Sequence, residues 1–319
     1  MNNFKKLGLT ALVGSLAATT AHAGTLSVGG TADFNYQTHG DGSATGNPMS
    51  STQDISFGAS ADLDNGMTMS YSSNMTASAI SAQSITLDMG DAGTLGIYNL
   101  DSHGAGLSKY QDVVPTAGEQ VWDDTGVTSH GGIDNGVLDH TAGSNLGYNG
   151  SFGDITVSAA WAKTASGAEG SAVLVYDNLI DGLSLGYGTG ESQESAGNSL
   201  TTDQETMFVK YTTGPVVFGF QRSVVTPSVA TGTTVSTTEK TRDGYGVSFA
   251  VNENLSISVG QSDLDFDTAS LVDQTDSGIS ASYTMGSTTI GLVHNRTEDA
   301  AGVAADDYDV SELKITFAF

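Results

Sequence analysis

Tyr245-Gly-Val-Ser-Phe-Ala-Val-Asn-Glu-Asn-Leu-Ser-Ile-Ser-Val259 is the stretch from which the fold can be read. Tyr245, Val247, Phe249 and Val251 fall on one face of an extended chain, and small or polar residues fall on the other. Asn252–Asn254 interrupts the pattern, and Leu255, Ile257 and Val259 then resume it. Alternation on both sides of a short polar break reads as strand, turn, strand. Beyond the second strand, Leu264–Thr275 is long, polar and rich in Asp. The unit is therefore a strand pair closed tightly at one end and open to a long loop at the other.

The rest of the chain repeats that unit. Towards the N-terminus, alternating segments are centred on Thr25–Gln37, Gln53–Leu63, Met67–Tyr71, Ile85–Met89 and Leu95–Ile97. Further ones lie at Leu146–Tyr148, Ile155–Trp161, Leu174–Tyr176, Leu183–Tyr187, Met207–Tyr211 and Val216–Phe220. After the opening hairpin come Ile279–Met285, Ile290–Leu292 and Leu313–Phe319, giving about 16 segments by the period-two test. The connections keep phase. Asp64–Gly66, Gly90–Gly93, Asn149–Asp154, Asn178–Gly182, Thr213–Pro215, Asn252–Asn254 and Gly286–Ser287 are short. Between them fall His39–Ser50, Asp101–Thr141, Glu191–Thr201, Val225–Glu239, Leu264–Thr275 and Thr297–Asp307, which are long and polar. Thr76–Gln83 and Thr164–Glu169 share the second rim but are shorter. Short turns on one rim and long loops on the other are the pattern of outer-membrane barrels. Segments of roughly 9–12 residues cross an apolar band of about 25 Å when tilted. Closure of the last strand on the first removes the sheet edges, which lipid requires. The expected fold is an all-β, transmembrane, antiparallel up-and-down β-barrel.

Composition agrees with an all-β unit: 41 Gly against 4 Pro, with no Cys. Mean hydropathy near zero is what one polar and one apolar face produce together. Without cysteine there is neither a disulfide framework nor a thiolate nucleophile or ligand. The N-terminus carries Lys5 and Lys6, a short apolar run over Leu7–Thr19, and Ala21-His22-Ala23. This is the form of a secretory signal peptide over residues 1–23, cleaved after Ala23 so that the exported chain, 24–319, starts at Gly24. The formal charge is −26, and −28 without the two leader lysines. Such a charge argues against nucleic acid as a partner and favours cations.

One stretch breaks the rhythm. Asp101–Thr141 has no sustained alternation, and its acids Asp101, Asp112, Glu119, Asp123, Asp124, Asp134 and Asp139 face one cation, Lys109. A loop of that length in a compact domain is usually functional or disordered. The expectation is a constriction folded into the barrel, with a ring of carboxylates that concentrates cations. A solvated external loop is the competing reading. By alternation, Lys210, Arg242 and Lys314 face the lumen, whereas Arg222, Arg296 and Lys163 share the lipid-facing phase, where they reach lipopolysaccharide phosphates or snorkel.

The residues resemble the general porins of Gram-negative outer membranes, specifically the alphaproteobacterial type. The resemblance runs over the whole exported chain. It rests on Leu26-Ser-Val-Gly-Gly-Thr-Ala-Asp-Phe34, on Gly90-Asp-Ala-Gly-Thr-Leu-Gly96 and on the terminal Lys314-Ile-Thr-Phe-Ala-Phe319. It implies that Phe317 and Phe319 are a signal to the barrel-assembly machinery, that the chain forms a homotrimer in outer-membrane lipid and lipopolysaccharide, and that the loop after the fifth strand narrows the pore. The family sets arginines against the acids of that loop; this sequence has three arginines, and its first five segments carry no Lys or Arg.

Other chemistry finds little support. Asp263, Asp265, Asp267, Asp273 and Asp276 suggest a calcium loop, but Thr268 and Gln274 stand where an EF-hand needs Gly and Glu. His39, His103, His130 and His140 lack metal-ligand spacing, and no Gly-x-Ser-x-Gly elbow supports nucleophilic catalysis. No cofactor, metal or enzymatic activity is expected. The leading function is passive diffusion of ions and small hydrophilic solutes, with cations preferred. A substrate-selective channel, a non-conducting surface barrel serving as adhesin or scaffold, and a soluble secreted β-repeat protein are the alternatives.

Overall fold

The computed structural model describes residues 24–40, 46–100, 104–123, 145–163, 167–193, 201–227 and 239–319. Residues 1–23, with Ala21 and Ala23, lie outside the described residues, as do Asp101, His103, Asp124, His130, Asp134, Asp139 and His140. Sixteen strands form one closed antiparallel barrel in which every strand pairs with its sequence neighbours. They are β1 (Thr25–His39), β2 (Met49–Asp62), β3 (Thr68–Thr76), β4 (Ala79–Asp88), β5 (Thr94–Leu100), β6 (Asn145–Phe152), β7 (Ile155–Lys163) and β8 (Ala168–Asp177). The second half comprises β9 (Leu183–Gln193), β10 (Thr201–Thr213), β11 (Val216–Pro227), β12 (Lys240–Ala250), β13 (Leu255–Phe266), β14 (Gln274–Met285), β15 (Thr288–Glu298) and β16 (Tyr308–Ala318).

β1 closes on β16 from Thr31↔Ala318 to His39↔Val310. The seam ends in reciprocal backbone bonds: the Gly30 amide donates to the Phe319 carbonyl at 2.9 Å, and the Phe319 amide to the Gly30 carbonyl at 3.0 Å. No strand edge is left for lipid to solvate. Apolar side chains such as Val28, Ile97, Trp161, Tyr187, Val259, Ile279 and Leu292 point outward and are exposed. They form the surface that a bilayer would cover.

The short rim is built from tight turns. Gly214 (φ 54°) precedes Pro215, whose ring fixes a negative φ, so the two residues make the reversed turn that matches strand twist. On the long-loop rim, the connection between β3 and β4 shrinks to Ala77-Ser78, with Ala77 at φ 55°. The eight-residue outer connection that the alternation suggested is thus mostly strand, with a bulge at Asn74/Met75 that hides the phase.

Several strands also run further outward than their apolar alternation indicates, because the sense of the alternation inverts near the outer rim. On β13, Asp263 and Asp265 share the outward phase of Val259, while Leu264 and Phe266 turn inward and pack with Val225 and Leu271. These ends stand beyond the apolar band, where outward positions meet water and inward ones meet the external loops.

Candidate functional site: the loop inside the barrel

After β5 the chain turns into the lumen. Gly106 (φ 68°) opens a short 3-10 turn, Leu107–Tyr110. The loop then follows the inner wall from β6 round to β16. Loop residues Leu107, Val114, Val121 and Trp122 are buried in this position. A loop standing outside the barrel would leave them in water.

Buried backbone needs hydrogen-bond partners, and inward side chains of the wall supply them. The Gly106 amide donates to Ser158 Oγ (2.8 Å) and the Leu107 amide to Ser171 Oγ (3.1 Å). Gln221 Nε2 donates to the Tyr110 carbonyl (2.8 Å), and the Ala117 amide donates to Ser258 Oγ (2.8 Å). Asn295 Nδ2 donates to the carbonyls of Gln120 (2.8 Å) and Asp123 (3.1 Å). Apolar packing adds to this: Leu107, Tyr110 and Val113 lie against Val173, Val175 and Phe208, and Tyr110 stacks on Phe208 with centroids 5.5 Å apart.

The charged residues are arranged around this ledge. Lys314 on β16 donates to Glu119 Oε1 at 2.9 Å, so one inward cation is tied to a loop acid. Lys109 donates to Asn149 Oδ1 at 2.8 Å. Asp112 is exposed, and Glu119 and Asp123 are half-buried. Burial raises the Asp123 carboxyl to about 6; nearby Glu119 and Asp112 push the same way, while the Gln120 amide and Lys314 oppose it. Lys210 lies in the inward phase of β10 and is exposed.

Arg242 points inward from β12 but is closed off from water, at 1% exposure. Its Nη1 donates to Ser262 Oγ (2.6 Å) and lies 3.3 Å from Asp276 Oδ2. The Trp122 ring of the loop covers the guanidinium, 5.0 Å from its centroid. Arg242 therefore fastens the loop and does not line the water path. Sequence reasoning missed this group, because Trp122, Arg242 and Asp276 come from distant segments. It also explains the failed calcium motif: Asp276 faces inward from β14, whereas Asp263 and Asp265 face outward from β13. Outside the barrel, Arg222 Nε donates to Asp243 at 2.7 Å, and Arg296 pairs with Glu298 at 3.0 Å.

Across from the ledge, Thr31, Asp54, Ser56, Asn74, Thr76 and Ser81 on β1–β4 line an open polar cavity of about 510 Å³. Strands β1–β5 carry no Lys or Arg. The free lumen thus lies between a loop bearing acids and a wall of hydroxyls, amides and carboxylates. Among the described residues no cluster of three or more His, Asp or Glu side chains has the form of a metal site.

No protein-family model and no curated protein matches the sequence. The fold has clear relatives among solved structures. A porin refined at 1.8 Å resolution superimposes with a TM-score of 0.66 at 16% identity, over 92% of this chain and 100% of that one. The trimer form of OmpT, an outer-membrane protein of Vibrio cholerae, gives 0.68 at 10% identity, over 93% and 99%. A mutant of the Rh. blastica porin gives 0.62 at 14% identity, over 92% and 100%.

Proposed function

We propose that the chain is an outer-membrane porin, a passive, cation-preferring diffusion channel for ions and small hydrophilic solutes. The observation that carries this reading is the inward loop: it takes up part of a lumen that the barrel would otherwise leave wide, and its Asp112, Glu119 and Asp123 lie close enough together to act on one another electrostatically. Asp33 and Asp54 belong to the inward phase of the opposite wall. Of the inward cations, Arg242 is sealed under Trp122 and Lys314 is paired with Glu119, and the exposed Lys210 is outnumbered by Asp33, Asp54, Asp112 and Asp123. The fixed charge along the water path is therefore negative, which concentrates cations.

Export through the leader of residues 1–23, cleavage between Ala23 and Gly24, recognition of Phe317 and Phe319 by the assembly machinery, and assembly as a homotrimer in lipid and lipopolysaccharide complete the proposal. A dedicated solute slide is a poorer fit, since the inward aromatics Tyr98 and Phe208 are buried by the loop and Phe266 is buried against Val225 and Leu271.

Planar-bilayer recording of the refolded protein tests the reading. Stable ohmic steps with a reversal potential towards the cation value are expected; a sealed bilayer would sink it. The pH dependence follows from Asp123. Below about pH 6 its carboxyl is neutral and above it is charged, so cation preference should rise between pH 5 and 7.5. A unit charge about 6 Å from the ion path at near-water dielectric is worth roughly 0.7 kcal/mol, or about threefold in relative cation occupancy. Asp123→Asn should remove that step and leave the rest of the profile.

A further inference from the structure

Four inward glycines stand side by side on adjacent strands. Gly219 on β11 pairs with Gly246 on β12, Gly246 with Gly260 on β13, and Gly260 with Gly278 on β14. Glycine inside a strand costs roughly 0.5–1 kcal/mol relative to alanine and marks a place where something approaches the backbone closely. None of the four has a positive φ, so the backbone conformation does not call for glycine here. Space does. A Cβ on Gly219 would stand 2.3 Å from Pro115 Cδ, one on Gly246 2.8 Å from Val114 Cγ1, and one on Gly260 3.1 Å from Val121 Cγ1. A Cβ on Gly278 would meet Asn295 Oδ1 at 2.1 Å, on the amide that holds the Gln120 and Asp123 carbonyls. Val114, Pro115 and Val121 of the loop rest on this row.

We propose that the row Gly219–Gly246–Gly260–Gly278 sets how far the loop stands out from the wall, and so fixes the aperture and charge selectivity of the channel proposed above, a reading on which this inference rests. These are positioning residues: Gly219, Gly246 and Gly260 lie against the loop, and Gly278 lies against Asn295, which holds it. Carbon atoms settle at about 3.5–4.0 Å, so a methyl at Gly219 must lift the Val114–Pro115 corner by roughly 1 Å. The lift is towards the lumen, because the wall behind is hydrogen-bonded on both sides. Glu119 and Asp123 move with it, towards the β1–β4 wall.

The test is a graded series: Gly219→Ala, Gly246→Ala, Gly260→Ala and, as control, Gly291→Ala. Gly291 is also an inward strand glycine, but its added Cβ finds its nearest neighbour, Lys314 Cβ, at 3.8 Å, which is ordinary contact. Single-channel conductance should fall in the order of crowding, most for Gly219→Ala, least for Gly260→Ala, and not at all for the control. Pro115→Ala in the Gly219→Ala background should restore it, since the ring carbon that clashes is gone. Equal losses in all four variants, or unchanged conductance in well-folded Gly219→Ala, would overturn the proposal. A second readout does not depend on conduction. The chain has two tryptophans, and in a Trp161→Phe background emission reports Trp122 alone, which is 2% exposed. Its red shift should follow the same order of variants even if Gly219→Ala refolds poorly, because the milder Gly260→Ala still ranks against the control. Were the wild-type protein not to conduct, the channel reading would fall while the Trp122 series still decided the seat; an emission maximum unmoved across the series would refute it.

Discussion

Arg242→Ala is expected to destabilise the barrel by about 3–5 kcal/mol, the usual consequence of removing one partner of a buried ion pair. The loss has two parts. Asp276, fully buried, also accepts from Thr297 Oγ1 at 2.7 Å and from Gln274 Nε2, but without the guanidinium it keeps a charge with no cation beside it. Trp122 loses the surface on which it lies, so the end of the described loop comes loose as well. Denaturant unfolding from detergent micelles would measure the first part, and open-channel noise the second. Replacing the pair together, as Arg242→Met with Asp276→Leu, should recover most of the stability, because well-packed apolar residues commonly substitute for a buried pair. If the single variant proved as stable as wild type, Arg242 would not fasten the loop.

Replacing residues 106–136 by a short Gly-Ser linker should raise conductance roughly twofold or more, since a 16-stranded barrel without an inward loop has a wide aqueous lumen. Cation preference should fall at the same time, because Asp112, Glu119 and Asp123 leave with the loop. The barrel should still close: its strand ladder is continuous without the loop. It should be less stable, however, with Val173, Val175 and Phe208 newly exposed to lumen water. Unchanged conductance would mean that the narrowest point lies elsewhere.

The strands were legible because the apolar band imposes one sense of alternation on each of them. Legibility ended where that constraint ends. In Asp263-Leu-Asp-Phe266 the period persists but the apolar side faces inward, so the segment resembles an acidic loop when read for a lipid-facing stripe. The Ala77-Ser78 turn was hidden differently: a left-handed alanine leaves none of the Gly or Asn signature of a tight turn. For the site, the position of the loop after the fifth strand was readable from order alone. Its fastening was not. Ser158, Gln221, Ser258 and Asn295 are ordinary polar residues of an inward face until the loop's backbone arrives to use them. Likewise each wall glycine, taken singly, reads only as a weak strand position; pairing across β11–β14 is what gives the row its meaning.

The seam between β1 and β16 has a kinetic consequence. It joins residues from opposite ends of the chain, so its pairing carries the largest closure entropy of any ladder in the molecule, and contacts of such long sequence separation form slowly. Lys314, which holds Glu119, sits on that closing strand, opposite Asn35 of β1. In an assembly intermediate with the ring still open that strand is held from one side only, by β15, so the anchorage of Glu119 rests on a half-supported strand. Molecules caught at that stage would have both an unpaired edge and a loosely latched loop. A delay at the seam, from whatever cause, would appear in the finished population as channels of uneven size.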